Sequence, residues 1–262
     1  FLLFYSQKIM PEKFKPNAER ELRREITIRT LTPIQVGVEG PKYIAEVEDP
    51  TSKDPYTMFV KSMYERKDAL QQQRQWQDLK ELGINVPERA WAHEFNNGAQ
   101  TLVATDLSGN GRRLVLSCNN PELKTPEGRG VIKTIPTETK QMIKDHLLFS
   151  AIAVSGLGPT QIARRYSLSN DTFALVIDPQ HPETAKPVAI DYGVDLHEPR
   201  PNEAQQDLLR SSLFGAGCFY AIVVGEELEL PDDPIFASVD RAALKKYCQE
   251  TVEFFWHENE KK

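Results

Sequence analysis

A chain of 262 residues with 32 Lys and Arg against 38 Asp and Glu carries a formal net charge of −6, and its length suffices for one large domain or two packed lobes with a sizeable core. That acidic balance argues against a nucleic-acid binder whose affinity comes from neutralising phosphates across a basic face. Cys118, Cys218 and Cys248 are widely spaced with no Cys-x-x-Cys pair, and the five histidines have no metal-ligand spacing. Neither a disulfide framework nor a zinc site is therefore expected, and a reducing cytoplasm is the default location.

The first stretch, Pro11 to Thr27, is charged and reads as a solvated arm or helix. From Ile28 the texture changes to short β-type runs broken by turn formers: Thr32 to Val38, Tyr43 to Glu48 and Tyr56 to Lys61 are three expected strands. Lys67 to Leu82 has helical periodicity, with Leu70, Trp76, Leu79 and Leu82 available for a buried face and Gly83 placed to end it. Val86 to Ala92 and Gln100 to Thr105 read as two further strands, joined by an Asn96-Asn97-Gly98 turn.

From Leu107 to Pro136 the sequence reads as loop, and Thr137 is then expected to cap a long apolar helix that stops at Gly156. Phe173 to Asp178 and Pro187 to Asp191 are two short apolar strands separated by a Pro-rich turn. The remainder is expected to be mainly helical, with amphipathic stretches at Ala204 to Leu213 and Arg241 to Trp256. No apolar run is read as reaching the roughly 20 residues of a membrane span. The opening Phe1 to Tyr5 is too short for the apolar core of a signal peptide.

Four features along this order carry chemistry suited to ATP-dependent phosphoryl transfer, which needs a cation on the phosphates, carboxylates for magnesium, a turn close to the nucleotide and a groove for adenine. Lys61 ends the third strand after Phe59 and Val60; alone, it reads more readily as a strand-end lysine with its ammonium in water, and the order of its neighbours raises the functional reading. Gly37 and Gly40 flank the first strand turn, where backbone N–H groups could approach phosphates, or where the chain simply turns. Leu102 to Gly109 runs from an apolar strand into a polar linker whose Ala104, Thr105, Asp106 and Leu107 would edge an adenine groove, although a strand ending in a loop has the same pattern. Ala189-Ile190-Asp191-Tyr192-Gly193 places a carboxylate at a strand end, where one or two such groups with phosphate oxygens suit Mg²⁺. No Walker pattern is present, which disfavours a P-loop fold.

In this order the motifs resemble the protein-kinase-like superfamily, in particular its atypical branches: the aminoglycoside phosphotransferases, phosphatidylinositol kinases and HipA-like kinases. The resemblance runs from about Thr32 to Leu196. It implies an α+β, two-lobed kinase-like fold: an N-terminal arm at 1–27, a small β-rich lobe at 28–107 and a larger, mainly helical lobe at 108–262. It also implies ATP and Mg²⁺ as cofactors, Lys61 on the phosphates, Asp191 on the metal, and a protein or small-molecule hydroxyl as acceptor. Where that family carries an aspartate base and, five positions on, a metal-binding asparagine, this chain has Ser167 and Thr172. Serine is no base unaided near neutral pH, so Asp171, with Asn170 beside it, is the candidate base or second metal ligand. Gln73 occupies the best place for the helical glutamate that would pair with Lys61, and Glu65 and Glu81 bracket the helix. Arg164 and Arg165 are open to phosphate or to water. Two functions follow: a divergent kinase, or a pseudokinase that keeps the fold as a nucleotide- or protein-binding module.

Overall fold

The computed structural model describes residues 27–37, 40–48, 56–63, 66–94, 100–118, 121–160, 162, 164–192, 196–197 and 204–257. The expected N-terminal arm, the Asn96-Asn97-Gly98 turn and Gly193 lie outside these residues.

Period-2 alternation in the third strand organises the first half of the chain. Strand β3 (Tyr56–Met63) turns Met58 and Val60 to one face and Phe59, Lys61 and Met63 to the other. It pairs antiparallel with β2 (Gly40–Glu48) on one side and β5 (Gln100–Thr105) on the other. Edge strands β1 (Thr27–Gly37) and β4 (Ala90–Glu94) complete a sheet of order β1-β2-β3-β5-β4. Pro33 lies at a register shift of β1, where a missing N–H interrupts no central ladder. Met58 and Val60 join Ala45, Val47 and Val103 in a small core on one face. Helix α1 (Arg66–Glu81) packs against β4 and β5, burying Ala69 and Leu79.

The second half is mainly helical. Helix α2 (Pro126–Lys133) follows a one-turn 3₁₀ segment and is capped by Thr125, whose hydroxyl accepts from the Gly128 N–H. Helix α3 (Thr137–Val154) is the expected long apolar one, but its N-cap is Pro136 rather than Thr137. It ends at Gly156, whose φ of +81° suits a residue without Cβ. A three-stranded sheet of order β6-β8-β9 contains β6 (Leu114–Leu116), β8 (Phe173–Asp178) and β9 (His181–Ala189). The expected turn between the two strands is shorter than the sequence suggests, Pro179 and Gln180 alone, because β9 already begins at His181; this strand lies at the sheet edge, where Pro182 and Pro187 are tolerated. A two-residue strand β7 (Ser167–Leu168) pairs with β10 (Leu196–His197).

Helix α4 (Gln205–Phe219) runs on through a π turn at Tyr220–Val224 and stops at Gly225, and α5 (Arg241–His257) packs against it. The segment Gln205–Val224 is long and apolar enough to cross a membrane by length and composition alone, but 72% of its apolar window is buried inside the fold, as in a core helix. All three cysteines are free and buried, and Cys218 Sγ lies 3.8 Å from Cys248 Sγ.

One hydrophobic core runs from Met63, Leu102 and Ala104 on the sheet through α1 to Leu147, Phe173, Leu213 and Phe219 in the helical half. The fold is the two-lobed α+β arrangement that the motif order implies, with a small sheet-rich part joined to a larger helical part.

Candidate functional site

Lys61 is 2% exposed, because the β3 alternation sends it to the face that packs on the main core, between Phe59 and Met63. A shift of one residue in register would send it to the opposite face. Its Nζ donates to Asp191 Oδ1 at 2.7 Å. Asp191 belongs to the chain leaving β9, so the contact joins the small sheet to the larger half of the molecule. The other carboxylate oxygen, Oδ2, stands 3.8 Å from Lys42 Nζ on β2.

Asp191 is fixed through its backbone. The N–H groups of Ile190 and Asp191 both donate to the Thr172 carbonyl, at 2.8 and 3.4 Å. Asn85, in the segment after α1, holds the strand before it: the Asn85 carbonyl accepts from the Ala189 N–H at 2.8 Å, and Nδ2 donates to the Pro187 carbonyl at 3.1 Å. The Asn85 N–H donates in turn to His146 Nε2 on α3 at 3.2 Å. That ring nitrogen must be unprotonated, and burial, followed by the positive charge of Lys186, lowers the His146 pKa to about 4. Tyr192 is a core residue whose hydroxyl donates to the Ala189 carbonyl at 2.8 Å; burial first, then the charge of Asp191, pushes its pKa well up.

The segment expected to be catalytic is built as structure at its two key positions. Ser167 lies in β7 and is 5% exposed, and Thr172 is 0% exposed with its hydroxyl accepting from the Ser169 N–H at 2.9 Å. Asn170 and Asp171 form the turn before β8 and are partly exposed. The Asn170 carbonyl accepts from the Cys118 thiol at 3.3 Å. Burial holds that thiol neutral, well above its ordinary pKa, and the neighbouring Asp171 carboxylate pushes the same way. Asp171 thus directly precedes Thr172, the residue that anchors the Asp191 backbone.

The linker residues are placed as follows. Ala104 is 4% exposed and paired on both sides, to Phe59 and to Ala90. The Thr105 hydroxyl accepts from the Arg89 N–H at 3.0 Å. The Asp106 carboxylate accepts from the Thr57 hydroxyl at 2.6 Å, from the Ser108 N–H and hydroxyl at 2.8 Å each, and from the Asn110 N–H at 3.3 Å, which closes a self-capped turn around Leu107. Gly37 and Gly40 face one another as the last pair of the β1–β2 ladder.

Two expectations near the site need correction. Gln73 does not serve as a stand-in for a helical glutamate, because its amide oxygen accepts from the Ala92 N–H at 2.8 Å. Arg164 is bound to Asp78 on α1 at 3.2 Å, and Asp78 also accepts from the Tyr166 hydroxyl. Sequence reasoning missed Lys42, Asn85 and His146. Lys42 could have been found only with the β2–β3 register in hand, which sets it directly opposite Lys61.

Magnesium needs as little as one carboxylate plus phosphate oxygens, and Asp191, 18% exposed, fits that chemistry. Any metal would have to draw the carboxylate away from its ammonium partners. Among the described residues no group of three or more His, Cys, Asp or Glu gathers as a metal cluster.

No protein-family model and no curated protein matches the chain. Among solved structures, it is similar to the PAN3 pseudokinase of Neurospora crassa. In a complex of Neurospora crassa PAN2 with PAN3, the likeness is 12% identity and a TM-score of 0.40 over 99% of this chain and 68% of that one. A PAN3 pseudokinase mutant gives 13% and 0.44 over 95% and 61%, and PAN3 pseudokinase itself 11% and 0.39 over 99% and 69%. Likeness at this level carries nothing about chemistry. What the structure itself shows is the mixed α+β element order and the Lys61–Asp191 contact between its two parts.

Proposed function

We propose that the chain is a kinase-like nucleotide-binding module, with ATP as the reference nucleotide, seated where Lys61 and Asp191 meet. The observation that supports this is the 2.7 Å contact between a lysine 2% exposed and a carboxylate from the other half of the molecule. A buried ion pair is weak as a stability device, because desolvation offsets much of the Coulomb gain. A pair placed between two halves of a fold is better explained by a ligand that it serves. On nucleotide binding, Lys61 would turn its ammonium to phosphate oxygens and neutralise part of their charge; magnesium on the freed Asp191 carboxylate would be required only by the phosphoryl-transfer reading below.

Two buried positions favour binding over turnover: the family resemblance aligns Ser167 and Thr172 with its base and metal-binding asparagine, and neither is open to substrate. A protein partner for such a module is part of this reading. Phosphoryl transfer to a hydroxyl acceptor is a second reading, favoured by the place of Asp171 immediately before the residue that anchors Asp191.

Thermal unfolding of the purified chain with and without ATP tests the proposal. Ligand at 100 times its dissociation constant stabilises by about 2.7 kcal/mol, and Lys61→Met should remove that gain. No stabilisation by any nucleotide would sink the reading. Transfer of labelled phosphate, abolished by Asp171→Asn, would establish the second reading in its place.

A further inference from the structure

The Lys61–Asp191 contact has a third member that the motif order does not contain. Lys42 on β2 is the direct cross-strand partner of Lys61 on β3, so both side chains leave the same face of the sheet. Like charges directly opposite one another are unfavourable in a sheet. Here both turn to a single carboxylate, Lys61 to Oδ1 at 2.7 Å and Lys42 to Oδ2 at 3.8 Å.

The two contacts differ in kind. Lys61 is 2% exposed and at hydrogen-bond length, whereas Lys42 is 25% exposed and its nitrogen stands beyond that length. Lysine is a compact charge on a flexible stem. Lys42 can therefore exchange the carboxylate for another anion without moving the sheet or burying a new charge.

We infer that Lys42 is a second phosphate-binding residue of this site, and that Lys42 and Lys61 together hold the polyphosphate of a nucleotide without a divalent cation. The inference rests on the nucleotide reading above and deepens it. Ammonium groups form charge-assisted hydrogen bonds to phosphate oxygens, and two of them from adjacent strands would bracket a polyphosphate. Asp191 already has an ammonium group at each of its oxygens. A divalent cation has to compete with both lysines for that carboxylate, while a phosphate group only has to attract them.

The test is titration of the whole chain with ATP, AMP and inorganic tripolyphosphate, each in EDTA and in excess magnesium, using the unmodified protein and the variants Lys42→Gln and Lys42→Arg. The unmodified chain should bind ATP and tripolyphosphate in EDTA. Lys42→Gln should weaken both by about tenfold, the loss of one charge-assisted contact, and should change AMP less. Lys42→Arg, which keeps the positive charge, should keep most of the affinity; a merely structural role for the ammonium would instead weaken AMP and ATP alike in Lys42→Gln. Removing one of two opposed lysines also relieves repulsion, so the variant is expected to fold. ATP binding that is equal in Lys42→Gln and the unmodified chain, or that appears only with magnesium, overturns the inference. Failure of every ligand on the unmodified chain overturns the nucleotide reading instead. Equal affinity for tripolyphosphate and ATP would keep the role of Lys42 and remove the nucleotide as its source.

Discussion

His146 links acidity to stability through one hydrogen bond. Its Nε2 accepts from the Asn85 N–H, and burial holds its pKa at about 4, below the ordinary 6.5. The unfolded chain takes up the proton as pH falls through 6.5, while the folded chain resists until about 4. Stability from this residue is therefore fully present above pH 6.5 and is lost progressively down to about 4, a total of about 3 kcal/mol. Urea unfolding at pH 7 and pH 4 should show that His146→Gln, which keeps an acceptor but cannot titrate, loses about that much less than the unmodified chain. Equal losses in the two proteins would refute the assignment. No feature of the local sequence marks this histidine: it reads as one more residue on an apolar helix, and its partner comes from a segment 61 positions away. Asp191 was legible because a strand end and turn formers flank it; Lys61, expected at a strand end, lies inside β3, which runs on to Met63. Which oxygen each lysine would meet was not legible.

Elements were most legible where pattern and punctuation agree. Strands β5 and β8 have the boundaries that the apolar runs give, and α3 ends at Gly156 as expected. The amphipathic stretch expected at Ala204 to Leu213 lies in α4, which continues to Phe219 through Gly215 and Gly217. Those glycines permit close approach. A Cβ at Gly215 would lie 2.3 Å from the Leu168 carbonyl oxygen in β7, and one at Gly217 would lie 2.9 Å from Cys248 Sγ. Gly215→Ala should therefore destabilise by about 1–3 kcal/mol, as overpacking against backbone does, although alanine is the better helix former. Gly130 in α2 has no neighbour within 4 Å of such a Cβ, so Gly130→Ala should stabilise by about 0.4–1 kcal/mol. Chemical denaturation of both variants measures the contrast, and the same sign in both would contradict the packing described. Strand β6 and helix α2 were missed because Gly, Asn and Pro crowd the stretch around them, although Thr125 followed by Pro126 is a cap and first-turn signal that could have been read.

At the scale of the whole molecule, the hydrophobic core does not stop at the boundary between the sheet-rich and helical halves. Met63, Leu102 and Ala104 from the sheet belong to the same cluster as Leu147, Phe173 and Phe219. Continuous burial of that kind couples the halves, so heat should unfold them in one cooperative step. Tryptophan fluorescence, which reports Trp76 and Trp91 in the sheet-rich half and Trp256 in α5, and circular dichroism at helical wavelengths should then give one midpoint. Two separated transitions would show the halves to be independent. The sequence discloses the two-part architecture through the switch from period-2 to helical spacing. It cannot disclose a shared core, which depends on how the parts meet.

Asn85 grips the strand that ends at Asp191, while the helix just before it rests on the sheet that bears Lys61. The few residues from Leu82 to Ala90 therefore act as a ruler for the distance between the site's two charges. An insertion or deletion there could leave each half intact and still spoil the site, so in divergent versions of this fold the length of that short span is expected to be more constrained than the identity of most residues around it.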